Sequence, residues 1–272
     1  PLGQLSLDEV FSPAQLLLDL DLVGHATRIA HGVESGEGLD LAHLPAVVHA
    51  VVGSGNVMFA DHPSTLANMR RQYWEPRFLG RRAFSPDPAE SGVLAGAFAA
   101  GLASAGVGAV LKHWPGSSEL DPHQGLPRLD ADLAGLAARY ERPFADAFAA
   151  GPAAVMLSHV MLPALDPVSP VTWSKAAIAR LRAAGFRGLV LTDDVAMKAS
   201  LELLPAGEAA LAAVAAGADL VMVSGGPYTA EAVATLRAAL ADGRLPRERA
   251  LEACANALAW KFALELETER DA

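Results

Sequence analysis

A single cysteine, Cys254, stands in 272 residues, and one thiol cannot form an internal disulfide. It sits in the helical pattern Glu252-Ala-Cys-Ala-Asn-Ala-Leu, where it serves as a small apolar filler. Aromatic side chains make up only 6% of the chain, and no apolar run reaches the length of about 18 residues that would suggest a membrane span. Positive charge is also scarce. Lys and Arg number 21 against 31 Asp and Glu, a formal net charge of -10. The basic residues are scattered, whereas neutralising a phosphate backbone needs them clustered, so nucleic acid is not an expected partner. The opening Pro1-Leu-Gly-Gln-Leu lacks the basic stretch and apolar segment of a secretion signal. With the lone thiol, this makes the cytoplasm the expected location.

What is abundant is Ala, Leu, Gly and Val, in a rhythm. From about Asn56 onward, short apolar runs alternate with longer Ala/Leu-rich segments of helical period, the pattern of βα units around a parallel sheet. The runs Asn56 to Ala60, Gly108 to Lys112, Ala153 to Ser158, Gly188 to Thr192 and Ala218 to Val223 read as strands. The segments Asp87 to Ala105, Asp132 to Ala149, Ser174 to Ala184, Gly207 to Ala216, Ala230 to Ala241 and Arg247 to Leu264 read as helices. Asp132 and Ser174 are suited to N-caps, and Gly106, Gly151, Gly185 and Gly217 to C-caps. The first 50 residues are mostly helical in period and give no strong strand. With no repeat and no linker, residues 1-272 are expected to form one catalytic domain, residues 1-50 being its divergent part. The α/β rhythm implies a (β/α)8 barrel of the TIM type, irregular or incomplete at its first strands, since a full barrel takes about 250 residues.

Polar residues cluster directly after the strands: Lys112-His113-Trp-Pro-Gly, Ser158-His159, Thr192-Asp193-Asp194 and Ser224-Gly225-Gly226. Parallel α/β folds carry their chemistry at the carboxyl ends of strands, so these clusters are expected to converge on one mouth. Asp193 is the sharpest case, because a carboxylate closing a buried apolar strand is costly without partners. The plainer alternative is that one of the two aspartates caps the next helix and the other is solvated. Two adjacent acids allow both roles, one reactive and one holding backbone. Further along the loop after Lys112, Asp121-Pro122-His123 places a carboxylate where it can orient an imidazole and raise its basicity. An ordinary polar surface loop is the plainer reading there. The fork of an arginine in Gly80-Arg81-Arg82-Ala-Phe84 can hold a hydroxyl or carboxylate. No two histidines have the i, i+4 spacing of a helical zinc site, so neither metal nor cofactor is expected.

Together, Arg-x-Phe-Ser-x-Asp-Pro, Lys112-His-Trp-Pro-Gly with Asp121-x-His123, Ala154-Val-Met-Leu-Ser-His159-Val-Met-Leu-Pro163 and Gly185-Phe-x-Gly-Leu-Val-Leu-Thr-Asp193-Asp-Val-x-Met197 resemble the family 3 glycoside hydrolases. The likeness is to the single-domain β-N-acetylglucosaminidases and covers about three quarters of the chain in order and spacing. It implies that Asp193 is the nucleophile and His123 the general acid/base, with Asp121 as its orienting partner. It further implies that Lys112, His113 and Arg82 bind the sugar, and that the substrate is a small carbohydrate or muropeptide. The chemistry implied is retaining removal of terminal β-linked N-acetylglucosamine through a glycosyl-aspartate. A sugar-binding relative without turnover, and a β-glucosidase-type or phosphorolytic relative, are the alternatives. Three departures bear on this. The family's Asp-x-Glu-Gly-Gly-Arg segment is not found, Ser117-Ser118 replaces a usual His-Gly, and Pro122 replaces the serine between Asp121 and His123.

Overall fold

Side chains that must leave water set the frame. Ala109–Trp114 (β1), Ala153–Leu157 (β2) and Val190–Thr192 (β3) pair as a parallel sheet in the order β1-β2-β3. Val155, Leu157 and Val190 are fully buried in it. Burial of such a side chain stabilises by roughly 1.5–3 kcal/mol, and strands covered on both faces need the continuous apolar runs seen here. In the computed structural model, the described residues are 84–85, 87–104, 108–118, 120–148 and 153–263. The Asn56 to Ala60 run, Arg82, Gly106, Gly151 and the divergent first 50 residues lie outside them.

Each crossover is helical. α1 (Pro88–Ser104) precedes β1. Between β1 and β2 lie α2 (Leu133–Gly135), a π-helical stretch (Leu136–Glu141) and α3 (Arg142–Phe148). The widening has a local cause, since Pro143 has no N–H to give to the carbonyl four residues back and its ring crowds that carbonyl. α4 (Lys175–Ala183) joins β2 to β3. After β3 come α5 (Lys198–Leu201), α6 (Ala206–Ala216), α7 (Gly226–Asp242) and α8 (Arg247–Ala263). The expected strand Ala218 to Val223 is reduced to a parallel bridge between Leu191 and Leu220. It still lies beside β3, with the N–H of Asp219 donating to Val190 O at 2.7 Å and that of Thr192 to Leu220 O at 3.1 Å.

Among the described residues the helix signals hold. Asp87 Oδ1 accepts from the N–H groups of Ala89 and Glu90 ahead of Pro88, capping α1. Asp132 accepts from Gly135 N–H and Ser174 from Ala177 N–H, each satisfying a donor the helix leaves open. Gly185 and Gly217 end α4 and α6 at φ of 95° and 123°, a region closed to residues with a Cβ. One face of the sheet carries Ala154, Met156 and Leu191 against Val110, Leu220, Met222 and, from α8, Ala257 and Trp260. The other side of the last segment, Val221 and Val223, packs on Leu201 of α5, Leu204 of the following turn, and Ala206 and Ala209 of α6.

At the amino end of β3 sits a buried charge cluster that sequence reading passed over. Asp219, its side chain 1% exposed, accepts from Arg249 Nη2 (2.8 Å) and Asn256 Nδ2 (2.9 Å) on one oxygen. The other oxygen accepts from Arg182 Nη2 (3.2 Å) and the Val190 N–H (3.1 Å). α4, β3 and α8 are thereby tied at the end of the sheet opposite the site.

Candidate active site

β1 reaches the site through an irregularity. Leu111 pairs with Val155 but Trp114 with Leu157, so β1 spends one residue more than β2 at Lys112-His113. In a regular strand two consecutive side chains face opposite sides. A one-residue bulge re-aims them, and both Lys112 and His113 act electrostatically on Asp193. His113 Nε2 lies 3.6 Å from Asp193 Oδ2, an ionic approach beyond hydrogen-bond distance.

Asp193 closes β3 and is buried, 8% exposed. Its backbone N–H donates to Leu157 O at 3.2 Å. Oδ1 accepts the Asp194 N–H at 2.8 Å, which leaves Oδ2 as the oxygen turned to His113. Burial pushes the carboxyl upward. Against it act the positive charges of His113, His159 and Lys112 and the Asp194 N–H, and together they hold it below the ordinary carboxylate value. A buried carboxylate kept ionised is what a nucleophile requires.

The neighbouring aspartate has the backbone role. Asp194 Oδ1 accepts from the N–H groups of Ala196 and Ser224, both at 2.9 Å, fixing the turn after β3 to the Ser224-Gly225-Gly226 segment. His159 departs from expectation. It follows β2 among the polar strand ends, yet it is 1% exposed and lies beneath the mouth. Its Nδ1 is 2.6 Å from Thr172 Oγ1 and its Nε2 2.8 Å from the Asp194 carbonyl oxygen. The sequence signal was there, a histidine directly after an apolar strand, but it carried no hint of depth.

The Asp121–His123 pair forms as the spacing suggests. Asp121 Oδ1 accepts from the His123 backbone N–H at 2.9 Å and stands 2.8 Å from His123 Nδ1. The ring itself is 71% exposed and pairs with Asp121, not with Asp193. Its loop is nonetheless tied to the site's other elements. The N–H of Ala199, in α5 just after Asp193, donates to Pro122 O at 3.0 Å, and Leu129 N–H donates to Met161 O at 2.8 Å. His113 thus approaches Asp193 and Lys112 acts on it electrostatically, while Asp121 and His123 sit on a loop braced against the helix that follows Asp193. Arg82 falls outside the described residues.

These features define an α/β protein with an ionised, buried aspartate at the carboxyl end of a parallel sheet, faced by Lys112 and His113 from β1. Residues 69–258 match the family model described as the glycosyl hydrolase family 3 N terminal domain, and the chain belongs to that family. A β-hexosaminidase of Xanthomonas oryzae pv. oryzae is 32% identical over 213 residues, 77% of this chain and 56% of that protein. The β-hexosaminidase LpqI of Mycobacterium bovis is 36% identical over 180 residues, 62% of this chain and 45% of that one. A solved structure, a glycoside hydrolase family 3 β-N-acetylglucosaminidase from Paenibacillus sp., superposes with a TM-score of 0.71 at 28% identity and covers 83% of this chain and 43% of its own. The chain spans about half the length of the curated relatives it matches.

Proposed function

We propose that the protein is a retaining exo-glycosidase that removes terminal β-linked N-acetylglucosamine from peptidoglycan fragments or related amino-sugar glycosides, on a β/α barrel of the TIM type. The observation that carries the reading is Asp193, a buried carboxylate with one oxygen anchored and the other turned toward His113. The names of the relatives support the sugar, and the parallel sheet with its polar carboxyl ends supports the barrel.

In this reading Asp193 Oδ2 attacks the anomeric carbon while His123, protonated, gives its proton to the departing glycosidic oxygen. The bond from that carbon to the leaving oxygen breaks and an ester to Asp193 forms. Water then attacks the same carbon, neutral His123 takes the water proton, and the Asp193 carboxylate leaves with its electron pair. Asp121 holds the imidazole by Nδ1, so that Nε2 is the atom that moves the proton. The His123 ring, 71% exposed on its loop, is open to a sugar. Lys112, His113 and Arg82 bind the sugar's hydroxyls, and the positive charge of the first two also keeps Asp193 ionised.

The test is hydrolysis of a nitrophenyl N-acetylglucosaminide beside the plain glucoside. Wild type is expected to prefer the amino sugar and Asp193→Ala to lose turnover of both. His123→Ala is expected to slow a nitrophenyl substrate far less than a natural disaccharide, because a good leaving group needs little protonation. Equal loss on both would remove His123 from the acid role. Binding of the sugar with no turnover by wild type would make the protein a sugar-binding relative.

A further inference from the structure

His159 has no access to solvent or to a substrate, yet every polar atom of its ring is engaged. A buried imidazole left unpaired would be costly, and the identity of its partners constrains its protons. Nε2 faces the Asp194 carbonyl oxygen at 2.8 Å, and a carbonyl only accepts, so Nε2 donates. Nδ1 faces Thr172 Oγ1 at 2.6 Å. That hydroxyl in turn lies 3.1 Å from the Ser158 carbonyl oxygen, a second group that only accepts. A hydroxyl has one proton. With that proton on Ser158 O, Thr172 receives one from Nδ1, and both ring nitrogens donate.

A ring donating twice is a cation, and His159 acts electrostatically on Asp193. His159 is one of three positive groups, with His113 and Lys112 from β1, that favour the ionised carboxyl. It also holds the backbone that holds Asp193. It pins the Asp194 carbonyl, and the Asp194 N–H fixes Asp193 Oδ1.

We propose that His159 is a positioning residue for Asp193, a doubly protonated imidazole clamped between Thr172 and the Asp194 carbonyl that fixes the turn presenting Oδ2 and supplies buried positive charge beneath it. The inference rests on the reading of Asp193 as nucleophile. It predicts a role for Thr172 as well, as the acceptor that keeps the second proton on the ring.

Two measurements decide it. Nitrogen NMR of the wild-type imidazoles, with His159 assigned by its response to Thr172→Val, is expected to show protons on both ring nitrogens at pH 7.5. A neutral ring, with Thr172 donating to Nδ1, would overturn the proposal. Next, His159→Gln keeps an amide donor but no charge. Its kcat/KM is expected to fall about 10–100-fold, as loss of exact alignment can cost about that factor. The acid limb of its pH profile is expected to move to higher pH, because Asp193 loses one of the charges that favour its ionised form. Thr172→Val is expected to move the limb in the same direction by less. A lower rate with an unmoved limb would assign His159 a packing role only and refute the charge. If wild type turns over no glycoside, the glycosidase reading fails separately. Carboxyl-carbon NMR of Asp193 across pH, in wild type against His159→Gln and Thr172→Val, then reads the coupling without turnover, and identical titrations would sink it.

Discussion

Asp219→Asn exchanges a carboxylate oxygen for an amide nitrogen where every neighbour is a donor. Arg249 and Asn256 approach one oxygen, Arg182 and the Val190 N–H the other. Whichever way the amide turns, its NH2 meets two donors, so two hydrogen bonds go and both arginines lose their countercharge. Breaking one side of a buried pair typically costs about 3–5 kcal/mol. The lower end applies here, since the Arg182 side chain is 28% exposed. Both arginines also keep bonds to carbonyl groups, Arg182 to Gly188 O and Arg249 to Val214 O and Ala218 O. The expectation is a loss of about 3 kcal/mol in urea unfolding. At about 2–4 °C per kcal/mol for a domain of this size, Tm should fall by about 6–12 °C. Because the cluster lies at the amino end of β3, on the order of 10 Å along the strand from Asp193 at the usual rise per residue, kcat/KM of the folded variant should stay near wild type. A stability loss below about 1 kcal/mol would mean that desolvating the three charges cancels their attraction, and the cluster would have no stabilising role.

Asp166 accepts from Ser174 Oγ (2.7 Å) and from the N–H groups of Val168 and Ser169. Burial raises its pKa, but the three hydrogen bonds prevail and the net position is below the ordinary value. Its contribution is therefore complete above the unfolded pKa of 3.8 and disappears as pH falls through the lower folded value. Asp166→Ala should lose about 1–2 kcal/mol at pH 7, with a gap to wild type that closes in strong acid; an unchanged gap there would contradict the assignment. At Gly207 an added Cβ would strike the Thr235 side chain and stand 3.1 Å from the Glu231 carbonyl, so Gly207→Ala should destabilise by about 1–3 kcal/mol. Thermal melts should show Thr235→Ala recovering much of that loss in the double variant, and additive losses would refute the clash.

Legibility in the sequence followed the range of the interactions. β1, β2 and β3 were readable as short apolar runs, and the caps Asp132 and Ser174 act within three residues of themselves, so each announced itself locally. The hold of Asp194 on the Ala196 N–H, and the Asp121–His123 pair, were readable for the same reason. The Ala218 to Val223 run was read as a full strand, but only Leu220 bridges to its neighbour, because pairing depends on the adjacent strand and β3 is short. α7 begins at Gly226, earlier than its Ala-rich period suggested, since Pro227 suits a first helical turn. The Asp219 cluster unites residues far apart along the chain, and no periodicity encodes that. The bulge at Lys112-His113 is a relation between two strands, invisible in either alone, and the depth of His159 emerges only when Thr172 and Asp194 close around it.

The surplus residue in β1 makes length, more than identity, the fragile property of this stretch. Only Lys112 and His113 stand between Leu111 and Trp114, so deleting one position there would restore even pleating against β2 while removing either the ammonium or the imidazole from beside the carboxylate. Exchanges of side chain at Lys112 or His113 retune one partner of Asp193, whereas a change in residue count dismantles the pairing of the two.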